Sequence, residues 1–175
     1  MLQKLQAVRD VHKTVPSNKK LLYTVLILFA GLCSGTLANF LDIYTTNLGN
    51  IFSQMSVWIL IGTVVAVYSS TPKRASLNVF LFSAGMIITY YLTSILTDSV
   101  YSKIFIYGWS VFTLLTPVFA YFTWYAKGHG WFAKLIASGI VLFMILTAVV
   151  LFDKIRASDI ILIALTCYIL FRKEK

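Results

Sequence analysis

Acidic side chains are scarce in this chain: six Asp and Glu stand among 175 residues, against fifteen Lys and Arg. Charged residues of both signs together reach only 12%, roughly half the 25% of a water-soluble domain. So few charges cannot build a water-facing surface, and an ordinary soluble domain is excluded. Cysteine is down to two, Cys33 and Cys167, each inside an apolar run where it behaves as a small hydrophobe. Neither a disulfide framework nor a metal site is expected from them, and no cofactor is implied. No carboxylate, lysine, arginine or histidine falls near the middle of an apolar run, which argues against a proton relay or an ion-coupled pump. His129, between Gly128 and Gly130, has no Cys, Asp or Glu neighbour to work with, and Gly31-Leu32-Cys33-Ser34-Gly35 does not match an intramembrane serine-protease motif. An enzyme is therefore not expected.

What is abundant is apolar length. Hydrophobic residues make up 59% of the chain. The run from Leu21 to Phe40 holds no formal charge, and as a helix it rises about 30 Å, the thickness of a bilayer's hydrocarbon core. Further runs follow at about Met55–Ser70, Leu77–Thr97, Ile104–Tyr125, Phe132–Phe152 and the short Ile160–Phe171. They are continuous rather than alternating, so helices and not barrel strands are the spanning elements. The expected fold is all-α: a six-transmembrane-helix bundle over residues 21–175, preceded by a basic tail at 1–20. In that tail Leu2, Leu5, Val8 and Val11 recur at threes. This suits either a short amphipathic helix on an anionic leaflet or an unstructured positive flank. A cleavable signal peptide is not expected, because the first run starts late and no small-residue cleavage pattern follows it.

Charge placement gives an orientation. With the N-terminus inside, every Lys and Arg except Lys103, Lys154 and Arg156 falls on a cytoplasmic segment. Both termini inside requires an even number of spans, which favours counting the short sixth run. The net charge of +9 then reflects membrane orientation, and no nucleic-acid partner is implied.

Three groups of residues carry the functional expectations. Ala30, Gly31, Ser34, Gly35 and Ala38 form small-residue rows on the first span, which let another helix approach closely. That helix belongs either to the same bundle, to a second copy or to a partner membrane protein. Pro117 interrupts the fourth span and frees the carbonyl of Thr113, with the hydroxyls of Thr113 and Thr116 at hand to compensate. The resulting kink is either structural or part of a cavity wall. Asn39, Trp58, Tyr90, Tyr91, Thr93 and Trp109 gather in the outer half of the bundle and are candidate ligand-binding residues. Trp58 and Trp109 would serve equally as interfacial anchors. Tyr90-Tyr91 lies deeper, so at least one of the two is expected to face inward and border an outward-opening cavity.

Asn50 with Trp58, Tyr90-Tyr91, and Trp109 with Pro117 give a layout that resembles small bacterial multi-span proteins of a domain-of-unknown-function type, over residues 25–150. That family implies no activity. The Ala30/Ser34/Ala38 row, the length and the six-span topology are also similar to the S-components of energy-coupling-factor transporters. That resemblance implies vitamin-like ligand binding and a transmembrane partner, although no vitamin-specific motif is present. Two functions are compatible with the sequence. One is a multi-pass cell-membrane protein that binds or conducts a small, partly apolar molecule; the other is an accessory protein acting on a partner through helix contacts, without a ligand.

Overall fold

The computed structural model describes residues 8–9, 16–52, 54–99 and 103–172. Most of the 1–20 tail, and with it the amphipathic pattern, lies outside the described residues. Seven helices follow in order: α1 Ser17–Tyr44, α2 Thr46–Phe52, α3 Met55–Val67, α4 Pro72–Leu96, α5 Lys103–Tyr125, α6 Gly130–Phe152 and α7 Ala157–Phe171. The fold is all-α. Helices α1, α4, α5 and α6 are long and apolar enough to cross a membrane. The pair α2 and α3, bent by 51° at their junction, passes the same test when taken together, and α7 is shorter.

Local chemistry sets several of these boundaries. Thr71 caps α4 by accepting a hydrogen bond from the Arg74 amide, and Pro72 stands at the first turn, where its missing N–H costs nothing. Helix α6 ends at Asp153 in the left-handed conformation (φ 57°). The side chain of Asp159 turns back to the amide of Arg156 and opens α7.

Helix α3 is central and touches α4, α5, α6 and α7. Helix α1 lies at one side, packed chiefly on α4, and α6 with α7 lies at the other. The glycines explain the first contact. A β-carbon on Gly31 would collide with the Phe82 carbonyl, and one on Gly35 with the Met86 carbonyl. The two backbones touch where nothing larger than hydrogen intervenes. Ala38 is buried on the same side, whereas Ala30 is exposed and Ser34 half-exposed.

Burial runs opposite to that of a soluble protein. Phe29, Ile88, Leu114 and Val150 point outward, while Thr24, Asn39, Asn78, Ser94 and Thr166 are buried. Most of these buried groups pair with other side chains, Thr24 with Asn78 at 2.8 Å, Asn78 with Ser69 at 3.0 Å and Asn39 with Ser94 at 2.5 Å, while Thr166 donates to the Leu162 carbonyl at 2.8 Å. Such polar contacts join helices where lipid supplies no hydrophobic drive between them. Four spanning-length helices with this distribution fit a membrane protein.

Candidate functional site

A cavity of about 340 Å³ lies between α3, α4, α5 and α6. On α3 its wall is Trp58, Ile59, Gly62 and Thr63; on α4 it is Val79, Phe82, Ser83 and Met86. Helix α5 contributes Trp109, Phe112, Thr113, Thr116, Phe119 and Thr123, among others, and α6 contributes Ile136, Gly139, Ile140 and Phe143. These positions recur at threes and fours on each helix, so one continuous face of every helix meets the void. The wall is overwhelmingly apolar, with a few hydroxyls as its polar points.

Small residues open the space and aromatics bound it. A β-carbon on Gly62 would meet only Val79, at 3.7 Å, and one on Gly139 would have nothing within 4 Å. Around them run ring contacts from Trp109 to Phe112 (6.0 Å), Phe112 to Phe119 (6.3 Å) and Phe119 to Phe143 (6.3 Å). The lining residues of α3 and α4 are buried or half-buried. In contrast Phe119, Phe122, Gly139 and Phe143 are exposed. The cavity therefore opens sideways, between α5 and α6, toward what would be the hydrocarbon layer.

Pro117 shapes the α5 wall. It has no N–H for the carbonyl of Thr113, and the Thr116 hydroxyl takes over that carbonyl at 2.7 Å. Ser76 of α4 donates to the Pro117 carbonyl at 2.7 Å, tying the interrupted turn to its neighbour. The Thr113 hydroxyl is left buried with no partner in the structure. Both threonines line the cavity.

Of the residues singled out from sequence, Trp58 and Trp109 line this cavity. Trp58 donates its indole N–H to the Phe52 carbonyl at 2.8 Å, closing the end of α2. Asn39, Tyr90, Tyr91 and Thr93 do not line it. They make direct contacts of their own: the Tyr90 hydroxyl donates to Asp42 of α1 at 2.5 Å, and Asn39 donates to Ser94 of α4. By drawing α1 against α4, Gly31 and Gly35 bring these polar groups within reach of each other. Tyr91 packs edge-on against Tyr90, with ring centroids 5.2 Å apart.

Sequence reasoning passed over Gly62, Ser83, Phe119, Gly139 and Phe143. The recurrence of a small residue beside aromatics at helical spacing was the available signal. The Asp159 side chain is 1% exposed. Ser56 of α3 donates to Asp159 Oδ1 at 2.7 Å. With its amide nitrogen turned to the carboxylate, Gln54 donates to the same oxygen at 3.3 Å. This cluster joins the starts of α3 and α7.

At the opposite end of α3, Arg9 donates to the carbonyls of Trp124 (2.7 Å) and Val67 (2.9 Å), and its guanidinium lies 4.4 Å over the Trp124 ring. Both carbonyls belong to helix C-termini, where the chain itself supplies no partner and a cation is favoured. Val8 packs on the cluster containing Val79, Ala120 and Trp124, and its carbonyl accepts from the His129 amide at 2.6 Å. The described part of the tail thus closes that end of the four helices that hold the cavity.

Neither a curated protein nor a solved structure matches the chain, so the likeness to S-components gains no support there. A family match covers residues 14–153, which takes in α1 through α6 and the whole cavity wall. The chain belongs to the family of unknown function DUF6518.

Proposed function

We propose that this is a multi-pass membrane protein that holds a small, largely apolar molecule within the bilayer, in the cavity between α3, α4, α5 and α6. The observation that carries the reading is the cavity itself: about 340 Å³, walled by apolar and aromatic side chains, with its exposed edge between α5 and α6. That volume lies within the usual range of ligand pockets. An empty space of this size in a helical core would cost stability through lost packing, and an occupant would recover it. Passage through the protein needs openings toward both sides, so binding is the reading the geometry supports and conduction is not proposed.

The membrane arrangement proposed with it has six spans, α7 being the last, and both termini in the cytoplasm. The distribution of Lys and Arg supports the orientation. The rival reading, an accessory protein serving a partner through α1, has less behind it, because α4 already occupies the Gly31/Gly35 face. Native mass spectrometry of the purified protein tests the function. A bound species of a few hundred daltons, present in the unaltered chain and absent from Gly62→Leu, supports it. Identical spectra without any bound species would remove it.

A further inference from the structure

The cavity is not uniformly apolar, and one of its polar points is unfinished. Thr113 is 7% exposed, lines the wall, and its hydroxyl has no hydrogen-bond partner. In an unbroken helix a threonine hydroxyl commonly pairs with the carbonyl one turn back. Here the neighbouring Thr116 makes a bond of that local kind, to the Thr113 carbonyl freed by Pro117. Thr113 makes none. A buried hydroxyl without a partner is costly, and such orphans are rare.

On its face of α5, Trp109, Phe112 and Ala120 carry no acceptor, and the Thr116 hydroxyl is turned to the Thr113 carbonyl. A group inside the cavity is placed to pair with the Thr113 hydroxyl. A lone water is a poor candidate, because an ordered water needs two to four polar partners and this wall is mostly carbon.

We propose that Thr113 is the polar anchor of the cavity, and that the ligand class is a single-headed amphiphile: an apolar body bearing one hydroxyl or carbonyl oxygen that pairs with Thr113 Oγ1. The inference rests on the ligand-binding reading above and narrows it. Thr113 and the Pro117 turn share one wall: Thr116 satisfies the carbonyl that the proline frees, while the Thr113 hydroxyl itself is unpaired. The exposed edge at Phe119, Phe122, Gly139 and Phe143 is where such a molecule, already dissolved in the bilayer, would enter.

The test uses the full chain in bilayer nanodiscs and two matched quenchers of tryptophan fluorescence, 8-bromo-1-octanol and 1-bromooctane. Trp58 and Trp109 on the wall report occupancy. The unaltered protein is expected to show saturable quenching by both, with the alcohol preferred roughly tenfold, the worth of one hydrogen bond. Thr113→Val keeps the shape and removes the hydroxyl. It is expected to bring the preference close to one by weakening the binding of the alcohol, with 1-bromooctane still quenching saturably. Thr113→Ser is expected to restore the preference. An alcohol preference that survives in Thr113→Val overturns the anchor and leaves the cavity reading intact. Absence of saturable quenching by either compound overturns both. Nanodiscs of phosphatidylcholine brominated in mid-chain separate the sources: strong quenching there, equal in the two proteins, would assign the cavity to a lipid acyl chain and overturn the anchor.

Discussion

Phe119 of α5 and Phe143 of α6 meet with ring centroids 6.3 Å apart, and both are exposed while lining the cavity. They stand where the cavity meets the outside, next to Gly139. A β-carbon at Gly139 would have nothing within 4 Å. Gly139→Trp is therefore expected to fold with unchanged or slightly higher thermal stability, since replacing a mid-helix glycine gains up to about 1 kcal/mol. Its indole would narrow the gap and slow the uptake of 1-bromooctane, followed by stopped-flow fluorescence. Uptake at the unaltered rate would place the entrance elsewhere.

The glycines of α1 behave differently from those of α5 and α6. At Gly35 a β-carbon would strike the backbone of Met86, so the helices must move apart. Gly35→Leu is expected to cost about 1–3 kcal/mol and to lower the melting temperature. Gly108→Ala, with open space around it, is expected to be neutral or mildly stabilising. Equal effects at the two positions would contradict the α1–α4 packing.

The Pro117 turn makes a prediction about coupling. Thr116→Val leaves the Thr113 carbonyl without its 2.7 Å partner, at an expected cost of about 1–3 kcal/mol. Pro117→Ala returns a backbone N–H to that carbonyl. In the double variant the loss from Thr116→Val should largely disappear, as a double-mutant cycle of unfolding free energies would show. Simple additivity would mean that Thr116 does not compensate for the proline.

Arg9 joins two helix ends that share no sequence neighbourhood, through Val67 and Trp124. Arg9→Ala is expected to cost about 1.5–3 kcal/mol, the worth of a charge-assisted hydrogen bond to a buried carbonyl. Arg9→Lys should recover only part of it, because a single ammonium does not reproduce the forked donors or the stacking on Trp124. Chemical denaturation of the three proteins, with an unchanged midpoint for Arg9→Ala, would show that the contact contributes nothing.

How far the sequence could be read follows from what each residue depends on. Leu21–Phe40 identified α1 because a long uncharged run has one structural solution, whereas the run expected from about Leu77 belongs to a helix that begins earlier, at Pro72 behind its Thr71 cap. The compensation at Pro117 was also legible, since Thr113 and Thr116 lie within one turn. The position of the cavity was not. It depends on which face of α4 the helix α1 occupies, and that is decided by contacts between Gly35 and Met86, some fifty residues apart. Tyr90 looked like a cavity residue for that reason: nothing nearby in sequence announces that Asp42 will be its partner. Asp159 is the same case, buried by Ser56 and Gln54 from a distant segment.

The central claim is that the space between α3, α4, α5 and α6 takes up a small apolar molecule, and filling that space tests it most directly. Gly62 lines the cavity with room beside it, so Gly62→Leu should place four carbons into the void without breaking the fold. The measurement is tryptophan quenching by 1-bromooctane in nanodiscs, comparing this variant with the unaltered chain. The account predicts saturable quenching in the unaltered protein and only linear, partition-driven quenching in Gly62→Leu, at equal or higher thermal stability. Saturable quenching of the same amplitude and midpoint in both proteins would contradict it.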